Sequence, residues 1–428
     1  MTKIVIIGAG SGFGGRISVD ILTRMQQEEV HIALCDINKE KLGIVEKYVN
    51  KVIGLNNLPA TVCATTDRRE ALKDADFVII SVSIGGPAYY DEPFESEMGI
   101  PLKYGITQTV ADTLGPGALF RSLRTAPEMI RMVQDINELA PKSVILNLVN
   151  PMAVLTTVLT HYAKVPLIGL CHGVVGNAKK LSEVVKVPFE EVDYVAAGIN
   201  HMTWFIKFMH CGQDLLPQLK ERITGEYSKE FLFRSEMMEH LGYFTTESDR
   251  HIVEYVPWFQ HIDKSILKPY VDITMNIKNK RHHWYEDMGV TIDKADSFEL
   301  ILSHESASGI IEGMVKGKPY VFSGNIINKG YITNLPNGVC VEVPCTADRN
   351  GIHPHTVGKL PTVCAALNQT NINEQQLVVE AILEKDRDKA FQALLLDPET
   401  QAKLTMRQTK QLFEEMWGRE IELGMELF

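Results

Sequence analysis

Three features of the 428-residue sequence predict an α/β protein with a doubly wound parallel sheet. Short apolar runs alternate with longer amphipathic stretches, a glycine-rich loop follows the first run, and an acid closes the second. The runs at 4–7, 30–34, 77–82, 143–148 and 167–170 are predominantly apolar, as strands are when helices cover both faces of a sheet. Residues 15–27, 39–48 and 125–139 carry apolar side chains at helical spacing and read as the crossovers between them. Strand–helix alternation of this kind builds a Rossmann-type sheet like that of lactate and malate dehydrogenases.

The texture changes after about residue 195. Residues 202–209 read as a strand, 221–241 are mixed and charged, and 247–258 are dense in polar and aromatic side chains. Extended segments fill 317–343, broken by the turn signal Asn334-Leu335-Pro336-Asn337-Gly338. Residues 373–416 return to amphipathic helix, with Val378, Val379, Ile382 and Leu383 inward. The expected division is a Rossmann domain over 1–195 and a mixed α+β domain over 196–428, fused into one body around a shared cleft. Leu394–Leu396 and the Met416-Trp417 cluster read either as a self-contact or as an ordinary core helix.

Composition bounds the partners. Lys+Arg number 43 against 54 Asp+Glu, a net charge of −11 with no long basic run, which excludes nucleic acid as the main partner. No run of about 18 apolar residues is present, so no membrane span is expected. The seven cysteines are dispersed and never form CxxC, a pattern that fits a reducing compartment. Met1-Thr2-Lys3 leads directly into the first expected strand, so no signal peptide is expected. The expected location is the cytoplasm.

Gly8-Ala9-Gly10-Ser11-Gly12-Phe13-Gly14-Gly15 follows a strand and opens a helix. A pyrophosphate needs this arrangement of close backbone N–H groups and a positive helix end. The usual spacing would put the third glycine at 13, where Phe13 stands, with glycines displaced to 12 and 14. Asp36 closes the second strand, where a carboxylate would hold both ribose hydroxyls. An acid there repels a 2′-phosphate and so favours NAD over NADP, although Lys39 nearby tempers that preference. Ser83, after the strand at 77–82, would pass beside the nicotinamide side. Without a dinucleotide, the same loop would be a tight turn of a flavodoxin-like sheet.

Several other residues stand at strand ends. Asn150-Pro151 closes one strand, as a ligand contact or as a plain turn. Cys171-His172 closes another, and His201 opens the second half in Gly198-Ile199-Asn200-His201. A thiolate and an imidazole so placed would hold a divalent metal with open positions, or would serve as a buried hydrophobe and a structural histidine. Asp112, followed by Arg121 and Arg124, is either a loop acid capping the next helix or a proton donor. The segment Gly242-Tyr243-Phe244-Thr245-Thr246-Glu247-Ser248-Asp249-Arg250-His251 gathers two aromatics with several ionisable groups and reads as a site contribution.

Taken together, residues 8–15, 112–117, 147–152, 171–173, 198–201, 242–258 and 334–344 resemble glycoside hydrolase family 4. This family of NAD- and divalent-metal-dependent glycosidases is an exception to the two-carboxylate rule of glycoside hydrolysis. The resemblance covers essentially the whole chain, and residues 108–124, 198–202, 242–258 and 360–373 look most like its α-galactosidase branch. It implies that Cys171 and His201 bind Mn²⁺, which chelates the sugar's 2- and 3-hydroxyls, with Asn150, Asn200 and Arg250 on the substrate side. It further implies hydride transfer from C3 to NAD, removal of the C2 proton, elimination of the leaving group, addition of water at C1, and return of the hydride. Asp249 is preferred over Tyr243 as the C2 base, and Asp112 assists the leaving group with His172 as its rival.

The substrate implied is a small α-glycoside handled by a homodimer or homotetramer. Phosphoglycosidases of the family carry Asn or Asp after the metal cysteine, so His172 implies an unphosphorylated sugar. Gly173 stands where the α-galactosidase branch has Ser, which leaves α-glucosides, α-glucuronides and α-galacturonides open beside α-galactosides. A 2-hydroxyacid dehydrogenase would share the glycine loop but would need a Gly-Glu-His-Gly-like segment, which is absent. A non-catalytic dinucleotide-binding regulator would have no use for Cys171 with His201.

Overall fold

The computed structural model describes residues 1–86, 91–275 and 283–428, the last without the His283 side chain. Six parallel strands form its first half: β1 (Thr2–Ile7), β2 (Val30–Cys35), β3 (Ala60–Thr65), β4 (Phe77–Ile80), β5 (Val144–Asn147) and β6 (Leu167–Leu170). They lie in the order β3-β2-β1-β4-β5-β6, the doubly wound dinucleotide-fold order. Successive side chains leave a strand on opposite faces, and both faces are covered here. Ile4 and Ile6 enter one core cluster while Val5 and Ile7 enter the other. That double burial is why the central strands read as largely apolar runs rather than alternating ones. β3 escaped the sequence reading because it is an edge strand with small, half-buried side chains.

The second half adds β7 (Val192–Ile199), β8 (Met202–His210), β9 (Gln213–Asp214), β10 (Tyr320–Ile327), β11 (Cys340–Asp348) and β12 (Gly351–Pro354). The sheet continues past β6 as β10-β11-β7-β8-β9 with antiparallel pairing, and β12 hangs from β11. Asn325 of β10 sits opposite Gly169 of β6, and Glu342 of β11 opposite Gly198 of β7. One sheet therefore runs through the whole molecule. The expected boundary at 195 falls inside β7.

The first-half helices are α1 (Gly12–Arg24), α2 (Lys39–Leu55), α3 (Arg68–Leu72), α4 (Phe94–Lys103), α5 (Gly115–Leu139), α6 (Met152–Tyr162) and α7 (Gly173–Val185). After β9 come α8 (Leu216–Thr224), α9 (Leu232–Leu241), α10 (Asp249–Tyr255), α11 (Lys264–Met275) and α12 (His283–Lys294). Helix α5 starts ten residues before the 125 expected from sequence. Its first turns, from Gly115 to Pro127, are buried on all sides, so no amphipathic stripe marks them. The stretch 373–416 resolves into successive helices from Thr362–Glu384 to Met406–Glu422. Met416 is buried and Trp417 packs on Phe413 and Phe120, so that cluster is core. Among the described residues no helix is long and apolar enough to cross a membrane.

Candidate active site

The glycine loop joins β1 to α1. Gly8 has φ +87°, and a Cβ there would lie 2.2 Å from the Ser81 carbonyl oxygen, so only glycine fits. The glycine displaced to 14 performs the helix–strand packing role, since a Cβ on it would stand 2.3 Å from the Ala9 carbonyl oxygen. Ser11 caps α1, its Oγ accepting the Gly14 N–H at 3.3 Å, and Phe13 packs against the core. Asp36 accepts the Gly10 N–H at 2.8 Å through Oδ2 and the Asn38 N–H at 2.8 Å through Oδ1. Ile37 beside it is 97% exposed, a bare aliphatic surface next to the ribose-type acid. Ser83 is exposed past the end of β4, its hydroxyl donating to the Gly86 carbonyl at 2.6 Å.

A second constellation forms where the parallel and antiparallel halves of the sheet meet. Cys171 follows β6, His201 occupies the two-residue turn between β7 and β8, and Glu247 precedes α10. One ligand-type atom from each of these three lies within 4.8 Å of the other two. Asp112, His201 and His251 form an adjoining group by the same measure. His201 holds a left-handed φ of +62°, an unfavourable conformation for a side chain with a Cβ, kept by the hairpin around it.

Neighbouring side chains fix these groups. His201 Nδ1 lies 2.8 Å from the Thr113 hydroxyl and 3.1 Å from the Tyr255 hydroxyl. Asp112 Oδ1 accepts from Thr113 at 2.8 Å, and Oδ2 accepts from the Asn150 amide at 3.1 Å. His251 contacts the His201 ring edge-on at 4.6 Å, with Nδ1 2.8 Å from the Ser248 hydroxyl. Glu254 Oε1 accepts the N–H groups of Thr109 (2.6 Å), Val110 (2.6 Å) and Ala111 (3.0 Å), which pins the loop carrying Asp112.

The site is crowded with negative charge. Burial pushes the Cys171 thiol well above its ordinary value, and Glu247 and Glu342 push it further. Burial also lifts Glu342, with Glu247 adding repulsion, up to about 8. Burial acts to raise Glu247, but His251, His201, His172 and Arg234 outweigh it and hold the carboxyl below its usual range. Burial and the His201 ring drive His251 down to about 3, so its imidazole is neutral. Glu247 Oε2 is buried without a hydrogen-bond partner, and the Asn200 and Asn325 amides lie beside the buried Glu342 carboxyl. A thiol, an imidazole and a carboxylate with unpaired lone pairs, in surplus negative charge, are what a divalent cation requires. Gly173 makes room for this set, because a Cβ there would lie 1.7 Å from Glu247 Oε2 and 3.4 Å from Cys171 Sγ.

The structure thus brings Cys171, His201, Asn200, Asp112 and Asn150 together and places four other expected residues differently. Asp249 does not join them as a base. Its Oδ1 accepts the Arg234 Nε–H at 2.8 Å and the Arg234 N–H at 3.2 Å, and Oδ2 accepts the Phe233 N–H at 3.3 Å. Its carboxylate caps α9 and pairs with a buried cation. Tyr243 packs half-buried against the core, and the Arg250 guanidinium donates to the Thr274 hydroxyl at 3.1 Å. His172 is exposed, with Nδ1 3.1 Å from Glu305. Glu247 and His251 were missed individually, although both lie in the polar segment at 242–251 and their i, i+4 spacing could have paired them.

Sheet order and donor set define a dehydrogenase-like α/β protein with a cation-type site beyond the carboxyl edge of its strands. The family 4 glycosyl hydrolase profile matches residues 3–187, and that family's C-terminal domain profile matches 196–400. The chain belongs to family 4 of the glycosyl hydrolases. It is 35% identical to an α-galactosidase of Bacillus subtilis strain 168, over 98% of both chains. It is 34% identical to an α-galactosidase of Rhizobium meliloti, over 97% of this chain and 87% of that one. Relatives called α-glucosidase (Erwinia rhapontici) and α-galacturonidase (Thermoanaerobacter italicus) match at 30% and 29% identity, covering 92% and 98% of this chain and 93% and 96% of theirs. A solved 6-phospho-α-glucosidase from gut microorganisms, in complex with NAD and Mn²⁺, shares the fold with TM-score 0.83, 21% identity and full coverage of both chains.

Proposed function

We propose that this protein hydrolyses small unphosphorylated α-glycosides, α-galactosides first among them, using NAD at the glycine loop and Mn²⁺ at Cys171, His201 and Glu247. The observation that carries the reading is the convergence of those three donors within 4.8 Å, with Glu247 Oε2 buried and without a hydrogen-bond partner. The α-galactosidase relatives support the substrate. When bound, the dinucleotide exchanges a hydride with sugar C3, and the cation polarises the adjoining oxygens so that the C2 proton becomes removable.

The chain's own residues supply the rest. Thr113 and Tyr255 hold His201 Nδ1, which orients the ring and leaves Nε2 as the ligand nitrogen. Asp112 orients the Asn150 amide toward the sugar hydroxyls. His251 is neutral, has Nδ1 engaged by Ser248, and presents Nε2 3.9 Å from Asp112 Oδ1. Those two side chains form the proton-handling pair for the C2 step, in place of Asp249, whose carboxylate is held by Arg234. Glu305 orients His172, which serves the leaving group from the outer side. The adenosine ribose is assigned to Asp36 and the nicotinamide side to Ser83.

Gly173 favours one second reading. It stands where the α-galactosidase branch has Ser, and the relatives called α-glucosidase and α-galacturonidase support an α-glucoside or an α-uronide as that reading. Nitrophenyl α-galactoside, α-glucoside, α-glucuronide and α-galacturonide should be tested with NAD, Mn²⁺ and a thiol reductant, and the released sugar should carry deuterium at C2 when the reaction runs in D₂O. Full activity in excess EDTA without nicotinamide would overturn the proposal. A cytoplasmic location suits the seven free cysteines, and a homodimer or homotetramer is the expected assembly, checked by light scattering.

A further inference from the structure

The glycine loop contains more glycines than a dinucleotide turn needs. Gly8 is required by its backbone angle and Gly14 by its contact with Ala9, but Gly12 and Gly15 have ordinary helical backbones. What they accommodate is α12, a helix remote in sequence. A Cβ on Gly12 would stand 2.7–3.1 Å from three indole atoms of Trp284, and one on Gly15 would stand 2.2 Å from Met288 Cε. The Tyr285 hydroxyl donates to the Gly10 carbonyl at 3.0 Å, while the Gly10 N–H donates to Asp36 at 2.8 Å. Lys41, in the first turn of α2, places its ammonium 5.5 Å from the Tyr285 ring centre. Trp284 and Tyr285 are both half-buried, and their rings lie against each other with centroids 3.4 Å apart beside the loop.

These contacts put an aromatic pair, an exposed aliphatic (Ile37), a ribose-type acid (Asp36) and a cation (Lys41) around one end of α1. The set matches the adenosine and pyrophosphate half of a dinucleotide: a flat base, a diol and a diphosphate. We infer that α12 is the outer wall of the dinucleotide site, with Trp284 as the side chain against which the cofactor's adenosine–pyrophosphate half is held and Tyr285 locking the loop in its binding shape. The inference rests on the assignment of NAD to this loop. Trp284 is a binding residue here; Tyr285 is a positioning residue, acting through Gly10.

Calorimetric titration of the full chain with NAD, AMP and nicotinamide mononucleotide tests the inference, with no substrate turnover needed. Trp284→Ala should weaken NAD and AMP binding about tenfold or more, the range of a lost base–aromatic contact. Nicotinamide mononucleotide binding should be unchanged. Trp284→Phe should keep most of the affinity but lose most of the tryptophan quenching that NAD causes, because Trp204, Trp258 and Trp417 lie on other elements. Tyr285→Phe should weaken NAD and AMP alike. Equal or tighter NAD binding by Trp284→Ala would overturn the inference, and so would full quenching in Trp284→Phe. If the unaltered protein binds neither NAD nor AMP, the assignment of NAD fails first and takes the inference with it.

Discussion

Gly173 and Glu247 have the tightest clearance in the site. No side chain fits at 173 while the Glu247 carboxylate stays where it is, since the first added carbon would lie 1.7 Å from Oε2. Gly173→Ala should therefore displace Glu247 and lower Mn²⁺ affinity by about tenfold to a hundredfold, the range seen when a metal site's support is disturbed. Cys171→Ser should do more, removing the soft donor and with it essentially all glycosidase activity. Electron paramagnetic resonance of free Mn²⁺ during titration reads both effects. Unchanged affinity in Gly173→Ala would remove Glu247 from the donor set.

At the scale of elements, the pairing of α9 with α10 decides what Asp249 does. Asp249 is the first residue of α10, yet its carboxylate caps α9 and holds the Arg234 side chain, which also donates to the Asn177 amide oxygen and the Glu247 carbonyl. Arg234 thus links α7, α9 and the backbone of a proposed metal ligand. Asp249→Ala leaves a buried guanidinium unpaired and should destabilise the protein by about 3–5 kcal/mol. Differential scanning calorimetry should show the fall in Tm, and the residual activity per folded molecule should stay high. A catalytic base would behave in reverse, losing kcat with Tm unchanged. Glu254 works similarly on the other side, tying residues 109–111 to α10 so that Asp112 faces His201.

Across the whole molecule, buried acids set the pH response. Burial raises Glu254 to about 7, and it lifts Glu374, Asp397 and Glu399, which also repel one another, above the usual carboxylate range. A carboxyl with a raised folded value stabilises the fold when protonated, and that stability is lost as pH rises through the folded value. His251 acts oppositely but only below about pH 6.5, where an unfolded histidine takes a proton. Tm should consequently fall as pH rises from about 6.5 to about 8, the Glu254 contribution ending near its folded value of about 7 and that of Glu342 near about 8. Glu399→Gln should flatten the slope. A Tm that rises across the window would contradict this account.

Much of the fold was legible because parallel strands buried on both faces are predominantly apolar, and because a pyrophosphate turn must be rich in glycine. Cys171, His201, Asp112 and Asn150, which the structure gathers in one place, stand out in the sequence for a related reason: each lies at the end of an apolar run or in a Gly/Pro-rich loop. Asp249 was misread because an acid's partner is invisible in a linear string; its Arg234 lies on another helix. Glu247 and His251 were lost among equally polar neighbours. Apolar runs and a glycine turn encode the sheet and the cofactor-type loop locally, and motifs spread over both halves encode the family. Tertiary structure alone decided which carboxylate meets the thiol and the imidazole, and which is consumed by an ion pair. It also brought α12 onto the glycine loop, a contact between residues 275 apart in the chain that no local pattern encodes.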